Sequence, residues 1–173
     1  MNKFAWVLFP FLITNSTVGF CERITINING NIVERSCVIS KNTSDFSVQL
    51  GMGDLKGKEI GVPFNKTPFS IILEDCPENL SFANLSFIGE SDEELPGLLK
   101  NQNKTKASAK GVTIGLYDMK NQIIDIRNNK LSIEIKKNQS SNKFEFSSYY
   151  IKTNNEASAG KITGIVNFEI YYD

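Results

Sequence analysis

The strongest constraint on this chain lies at its C-terminal end. Gly160, Ile162, Gly164, Val166, Phe168, Ile170 and Tyr172 occupy every second position, and Lys161, Thr163, Asn167, Glu169 and Tyr171 fall between them. Ile165 is the one break in the pattern. Side chains of an extended chain point alternately to opposite faces, so this period predicts a strand with one dry face. At about thirteen residues it is long for a globular strand. It needs hydrogen-bond partners along its length, because an unpaired strand edge is an aggregation hazard.

A second regular run lies near the other end. Ile24, Ile26, Ile28, Gly30 and Ile32 share one face, with Thr25, Asn27, Asn29 and Asn31 on the other. Residues 22–35 therefore read as one amphipathic strand. Asn29-Gly30 is also a two-residue hairpin signal, with arms at 23–28 and 31–35.

Between these runs come short strand candidates separated by turn-forming residues: 46–50, ended by Gly51 and Gly53; 69–73, nearly all apolar; 80–88; 112–117; Leu131, Ile133 and Ile135 alternating with Ser132 and Glu134; and 144–151. Short strands at this spacing, rich in Phe, Ile, Val and Thr, predict an all-β sandwich or barrel. Residues 90–110 are polar, with Pro96, Gly97 and many Asn and Lys. They read as a long surface connection with room for a short helical turn over 95–99. The 173 residues suit one domain.

The N-terminus has the layout of a secretory signal. Lys3 supplies the positive charge, residues 4–13 form an apolar run too short to span a bilayer, and Thr14-Asn15-Ser16-Thr17 follows. Nothing after the first two dozen residues is apolar for long enough to span one either. Gly19 and Cys21 are small residues at the positions a signal peptidase reads, which places the cut after Cys21; a cut after Gly19 is the alternative. A lipoprotein signal would also place its cysteine here, but bulky Phe20 disfavours it. Removing Cys21 leaves Cys37 and Cys76, which should pair in an oxidising compartment, the alternative being two buried thiols.

Composition excludes most chemistry. The 19 basic residues balance the 19 acidic ones, so there is no nucleic-acid footprint. Histidine is absent, which removes the commonest general base, the Ser-His and Cys-His nucleophile pairs and most zinc sites. Gly51, Gly53, Gly57 and Lys58 fail as a phosphate-binding loop: the spacing is one residue too long, and Glu59 stands where Ser or Thr should hold magnesium. Glu90, Asp92, Glu93 and Glu94 lack the alternation and glycine turn of a calcium loop and read as a solvated patch. Asp45, Glu74 and Asp75 have no feature that marks them as a glycosidase pair. Triplets such as Asn84-Leu85-Ser86 and Asn103-Lys104-Thr105 are expected by chance in a chain this rich in Asn. The reading is therefore not an enzyme, with no cofactor and no metal.

Taken in order, these blocks resemble the chaperone–usher fimbrial subunits, especially the minor subunits of the type 1 tip fibrillum. The run 24–33 followed by Cys37 resembles the family's donor strand and first cysteine. Val48-Gln49-Leu50-Gly51 resembles its V-x-L-G turn, and 69–73 followed by Cys76-Pro77 the strand carrying the second cysteine. Phe87, Gly89 and the run 111–118 match two further blocks. Gly160, fourteenth from the end, and the penultimate Tyr172 fit the C-terminal signature. The chain departs from related shaft subunits in being rich in Asn, Lys and Ile where they favour Ala, Gly and Thr.

The resemblance implies an incomplete immunoglobulin-like β-sandwich, residues 36–173, that lacks its final strand, behind a signal peptide (1–21) and an N-terminal donor-strand extension (22–35). It implies that Ile24, Ile26, Ile28, Gly30 and Ile32 insert into a neighbouring subunit's groove, with Gly30 over a shallow pocket. It also implies that a periplasmic chaperone and an outer-membrane usher handle the subunit. Gly160, Ile162, Val166, Phe168, Ile170, Tyr172 and Asp173 would be the edge that the chaperone pairs with. The function expected is a structural subunit of an adhesive surface fimbria, exported through the periplasm, with a minor tip adaptor as the first reading. A major shaft pilin, a terminator or a self-contained extracellular binding module are the alternatives.

Overall fold

The computed structural model describes residues 36–172. The elements, in chain order, are β1 (Val38–Ile39), α1 (Lys41–Ser44), β2 (Pro63–Glu74), β3 (Phe82–Gly89), β4 (Val112–Tyr117), β5 (Ile123–Ile124), β6 (Leu131–Glu134), β7 (Ser141–Lys152) and β8 (Val166–Tyr171). The strands form two antiparallel sheets, ordered β1-β2-β7-β4-β5 and β6-β3-β8. This is an all-β, immunoglobulin-like sandwich, and β8 stands at the edge of its smaller sheet.

Alternation decides which side chains meet between the sheets. Ile71 and Leu73 of β2, Phe144 and Phe146 of β7, and Ile114 and Leu116 of β4 point inward from the larger sheet. Ala83, Leu85 and Phe87 of β3 and Ile133 of β6 meet them from the smaller one. Phe87 lies edge-on to Phe146 at 5.1 Å between ring centroids, and Phe69 stacks on Phe146 at 5.6 Å. Such pairs contribute about 0.5–1.5 kcal/mol each beyond the area they bury.

β2 and β7 pair over twelve-residue strands, with one interruption. Phe64 faces Tyr150, yet Thr67 faces Ser148, so β2 carries one extra residue there, a β-bulge. Asn65 takes it up at φ 57°, a left-handed conformation that Asn tolerates better than most side chains. Pro68 is accommodated because β1 flanks β2 only at Leu73 and Glu74, so no ladder on that side needs its missing N–H.

Three expectations need correction. Residues 46–50 form no strand and join no ladder. The terminal strand pairs only over Val166–Tyr171. Ahead of β8, the chain is bonded to the 101–109 segment instead: Gln102 N–H donates to Thr163 O at 2.7 Å, Ala109 N–H to Lys161 O at 2.9 Å, and Lys161 N–H to Ala107 O at 2.6 Å. The third correction concerns the 90–110 connection, which forms no helical turn at 95–99. Its chain runs beside β4, with Leu99 and Ile114 exchanging both backbone hydrogen bonds. Leu98 packs with Leu95, Tyr117, Tyr149 and Ile151 in a separate small apolar cluster. A segment that reads as polar thus buries two leucines, Leu99 in the main core and Leu98 in the smaller cluster.

Candidate docking groove

The smaller sheet ends at β8. Beyond it, among the described residues, no strand continues the sheet. The inward side chains of β3 are fully buried, whereas those of β8 are only half-buried. The difference is the mark of an open edge: Val166, Phe168 and Ile170 are covered by the core below and by β3 on one side, and among the described residues no strand lies on the other. Alternating half-buried and exposed residues run from Ile162 through Tyr172.

Facing this edge across an open gap is the unpaired segment 44–50. The two walls enclose a groove of about 670 Å³. Residues 44–50 form one wall and residues 162–168 the other, over a floor that includes Phe69, Ile71, Phe87, Ile114, Leu116 and Tyr150. Phe46 stands on the first wall, 38% exposed, with its ring 6.2 Å from that of Phe69. Gly164 stands on the second; a Cβ there would come 3.0 Å from Ile114 Cδ1, so the groove keeps its depth at that point through the missing side chain.

The first wall is held at its two ends. At one, the Thr43 hydroxyl accepts from Ile72 N–H at 3.1 Å and donates to Ile72 O at 3.3 Å, fixing the short helix α1 to β2. At the other, the Gly51 carbonyl accepts from Asn65 Nδ2 at 2.9 Å and from Tyr150 Oη at 3.0 Å. Burial raises the pKa of the Tyr150 hydroxyl above its ordinary value. Gly53 lies against the same ring, where a Cβ would be 2.7 Å from Tyr150 Cδ2.

Cys37 and Cys76 form a disulfide, with Cα atoms 4.1 Å apart. It ties the start of the described chain to the turn after β2. Tyr172 ends beside it: burial raises the pKa of its hydroxyl, against the opposing effect of a hydrogen bond with the Cys37 backbone. Val166, Phe168 and Ile170 lie on the inward face of β8, and Ile162 lies ahead of β8 in the groove wall. Gly160 is pressed against the backbone of 107–109, where a Cβ would come 2.4 Å from Ala109 N. Ile24, Ile26, Ile28, Gly30, Ile32 and Asp173 lie outside the described residues. Thr43, Asn65 and Tyr150 escaped the sequence reading. Nothing in the local pattern marked Asn65, which stands between Pro63 and Pro68 ahead of the strand expected at 69–73.

Among the described residues, no group of three or more acidic or cysteine side chains is arranged to hold a metal ion. The described helices include none long and apolar enough to cross a membrane. The groove has an apolar floor between two walls that carry Ser47, Gln49, Thr163 and Asn167, an arrangement suited to receiving an extended chain.

An open-edged sandwich of this kind is the architecture of pilus subunits, and the comparisons with known proteins agree. Residues 26–173 match the model of the family described as "Fimbrial protein", and the chain belongs to that family. It is 30% identical to the "Probable major fimbrial subunit LpfA" of Escherichia coli O157:H7, over all of this chain and 98% of that protein. It is 34% identical to the "Fimbrial subunit type 1" of Salmonella typhimurium over 52% of this chain and 51% of that one. Among solved structures, the P pilus rod subunit PapA superposes with a TM-score of 0.64 at 17% identity, covering 79% of this chain and 99% of that one. At that identity the likeness speaks for the fold. The chain is a structural subunit of the chaperone–usher fimbrial class, not an enzyme.

Proposed function

We propose that this subunit polymerises by donor-strand exchange. The groove between 44–50 and 162–168 accepts an extended segment from a neighbouring subunit, which pairs along the free edge of β8. The subunit's own residues 22–35, freed by removal of a leader at 1–21, fill the groove of the next subunit with Ile24, Ile26, Ile28, Gly30 and Ile32. The observation that carries this reading is the half-buried inward face of β8 beside an unpaired wall. β-Augmentation would complete both hydrogen bonding and burial there. Burying four isoleucines favours the exchange by roughly 6–12 kcal/mol before ordering costs. Head-to-tail contacts of this kind do not close, so they yield a fibre.

On this reading a periplasmic chaperone covers the same groove before assembly, pairing with the edge that runs from Gly160 through Ile162, Val166, Phe168, Ile170 and Tyr172 to Asp173. An outer-membrane usher then exchanges it for the next subunit, and the product is a surface fimbria that contributes to adhesion. The full-length likeness to a relative named as a probable major subunit favours a place in the shaft. The sequence of the donor segment favours a tip adaptor. The copy number of this chain in purified pili, measured by quantitative mass spectrometry, separates many copies from one or a few.

The exchange itself is tested with a mature chain carrying Ile28→Lys, a receiver that is a poor donor. A synthetic peptide of residues 22–35 should bind it and raise its urea midpoint. The same peptide with Ile28→Lys should not. A receiver that ignores the native peptide and is already a stable, fully protected monomer would instead be the self-contained binding module.

A further inference from the structure

The two ends of the groove wall at 44–50 are fastened differently. At the α1 end, Thr43 exchanges hydrogen bonds with one residue of a regular strand. At the other end, two side chains converge on one carbonyl, that of Gly51. A carbonyl oxygen has two lone pairs, so both donors can be satisfied at once. Neither donor is there by default. Asn65 reaches Gly51 from the β-bulge, at a positive φ that is unusual for a residue other than glycine. Tyr150 reaches it from β7, with its ring on the groove floor.

We propose that Asn65 and Tyr150 act as a latch which, through the Gly51 carbonyl, sets the width of the groove at the end where Tyr150, Ile114 and Gly164 meet, and so limits the size of the side chain admitted there. This rests on the donor-strand reading and adds to it a position-specific size filter. Tyr150 and Ile114 are ladder partners, and the missing side chain of Gly164 leaves room directly over Ile114. The space at that end is therefore bounded by the Tyr150 ring, the Ile114 side chain and a wall whose position the latch controls. A side chain seated there touches the same ring whose hydroxyl holds the wall. Releasing the carbonyl leaves Thr43 as the hydrogen-bonded anchor of this wall, with only the apolar contacts of Phe46 and Leu50 beyond it, so the gap widens at the far end. Asn65 and Tyr150 are thus positioning residues for strand acceptance.

The test uses the Ile28→Lys receiver in three forms: otherwise native, with Tyr150→Phe, and with Asn65→Gly. Tyr150→Phe keeps the ring and loses the hydroxyl. Asn65→Gly keeps the positive φ without strain and loses the amide. Each is offered five fluorescent peptides of residues 22–35: the native one, and four carrying a single Ile→Trp at 24, 26, 28 or 32. Capture rates are read by anisotropy. The otherwise native receiver should reject one Trp peptide by at least about tenfold relative to the native peptide. In both latch variants that one penalty should fall below about threefold, with the other three ratios unchanged. If no single position is penalised, or if all four ratios move together or stay fixed in the variants, the latch is overturned while strand exchange stands. If the native peptide is not captured by any receiver, the donor-strand reading fails and the latch fails with it.

Discussion

The side-chain amide of Asn129 takes the place of a strand beside Phe87: its Oδ1 accepts from Phe87 N–H and its Nδ2 donates to Phe87 O, each at 2.8 Å. β6 pairs with β3 only as far as Leu85, so without Asn129 the backbone of Phe87 would lose its partners on that side. The same Nδ2 also reaches Asp125 O at 2.9 Å, which fixes the turn leading into β6. Asn129→Leu strips both bonds from the backbone of a fully buried residue. It should destabilise the subunit by about 1–3 kcal/mol, the cost of leaving buried polar groups unsatisfied. The urea midpoint of the peptide-bound subunit measures it, and an unchanged midpoint would remove Asn129 from this role.

Gly160 is held by contact rather than by conformation. An added Cβ would meet Ala109 N at 2.4 Å, Ala107 O at 2.6 Å and Ser108 C at 2.6 Å, all of them backbone. Backbone cannot rotate away as a side chain can. Gly160→Ala should push the 101–109 segment off the terminal strand at a cost of about 1–3 kcal/mol. Amide hydrogen exchange should then speed up at Ala109 and Lys161, whose N–H groups bond across this junction. Unchanged protection at both amides would contradict the prediction.

The Cys37–Cys76 bridge closes a loop with a sequence separation of 39 residues. On the chain-entropy model a loop of that length stabilises the fold by about 4 kcal/mol. Replacing both cysteines by serine should lower the unfolding free energy by roughly that amount. Adding dithiothreitol should shift the native subunit but not the double variant. Equal shifts in the two would show that the reductant acts elsewhere.

Asp125 has its pKa lowered from 3.8 to about 2, chiefly by the hydrogen bond from the Arg127 side chain and then by the Arg127 backbone N–H. A carboxylate whose pKa is depressed in the folded state favours folding above its unfolded pKa. That contribution is complete above about pH 4 and is lost as the pH falls through about 2. Arg127→Gln should bring the Asp125 titration back toward the ordinary carboxylate range, as followed by carboxyl carbon chemical shifts. The pair is open to solvent, so the native ion pair should also weaken as salt is added. A titration unmoved by the substitution would mean that Arg127 is not the cause.

Elements governed by local parity were legible in the sequence. The strand expected at 112–117 is β4, and the one at 144–151 lies within β7. The inward faces of β6 and β8 follow from alternation alone. Less legible were the pieces whose partner is distant in the chain: α1 at Lys41–Ser44, the bulge at Asn65 and the substitute strand at Asn129. Each depends on one side chain meeting a backbone group brought to it by the rest of the fold, and composition carries no record of such a meeting.

The amino-acid order by itself determined that the chain is all-β, which side of β6 and β8 is dry, and that Cys37 and Cys76 were available to pair, because period-two patterning and a cysteine count are properties of the chain taken alone. Only the tertiary structure decided which strand edges find partners. It gave the chain ahead of β8 to the 101–109 segment, left 44–50 without a ladder, and let β8 face an open groove. Hydrogen bonding across a sheet is a contract between segments far apart in sequence, so the vacancy at an edge exists only once every other strand has taken its place.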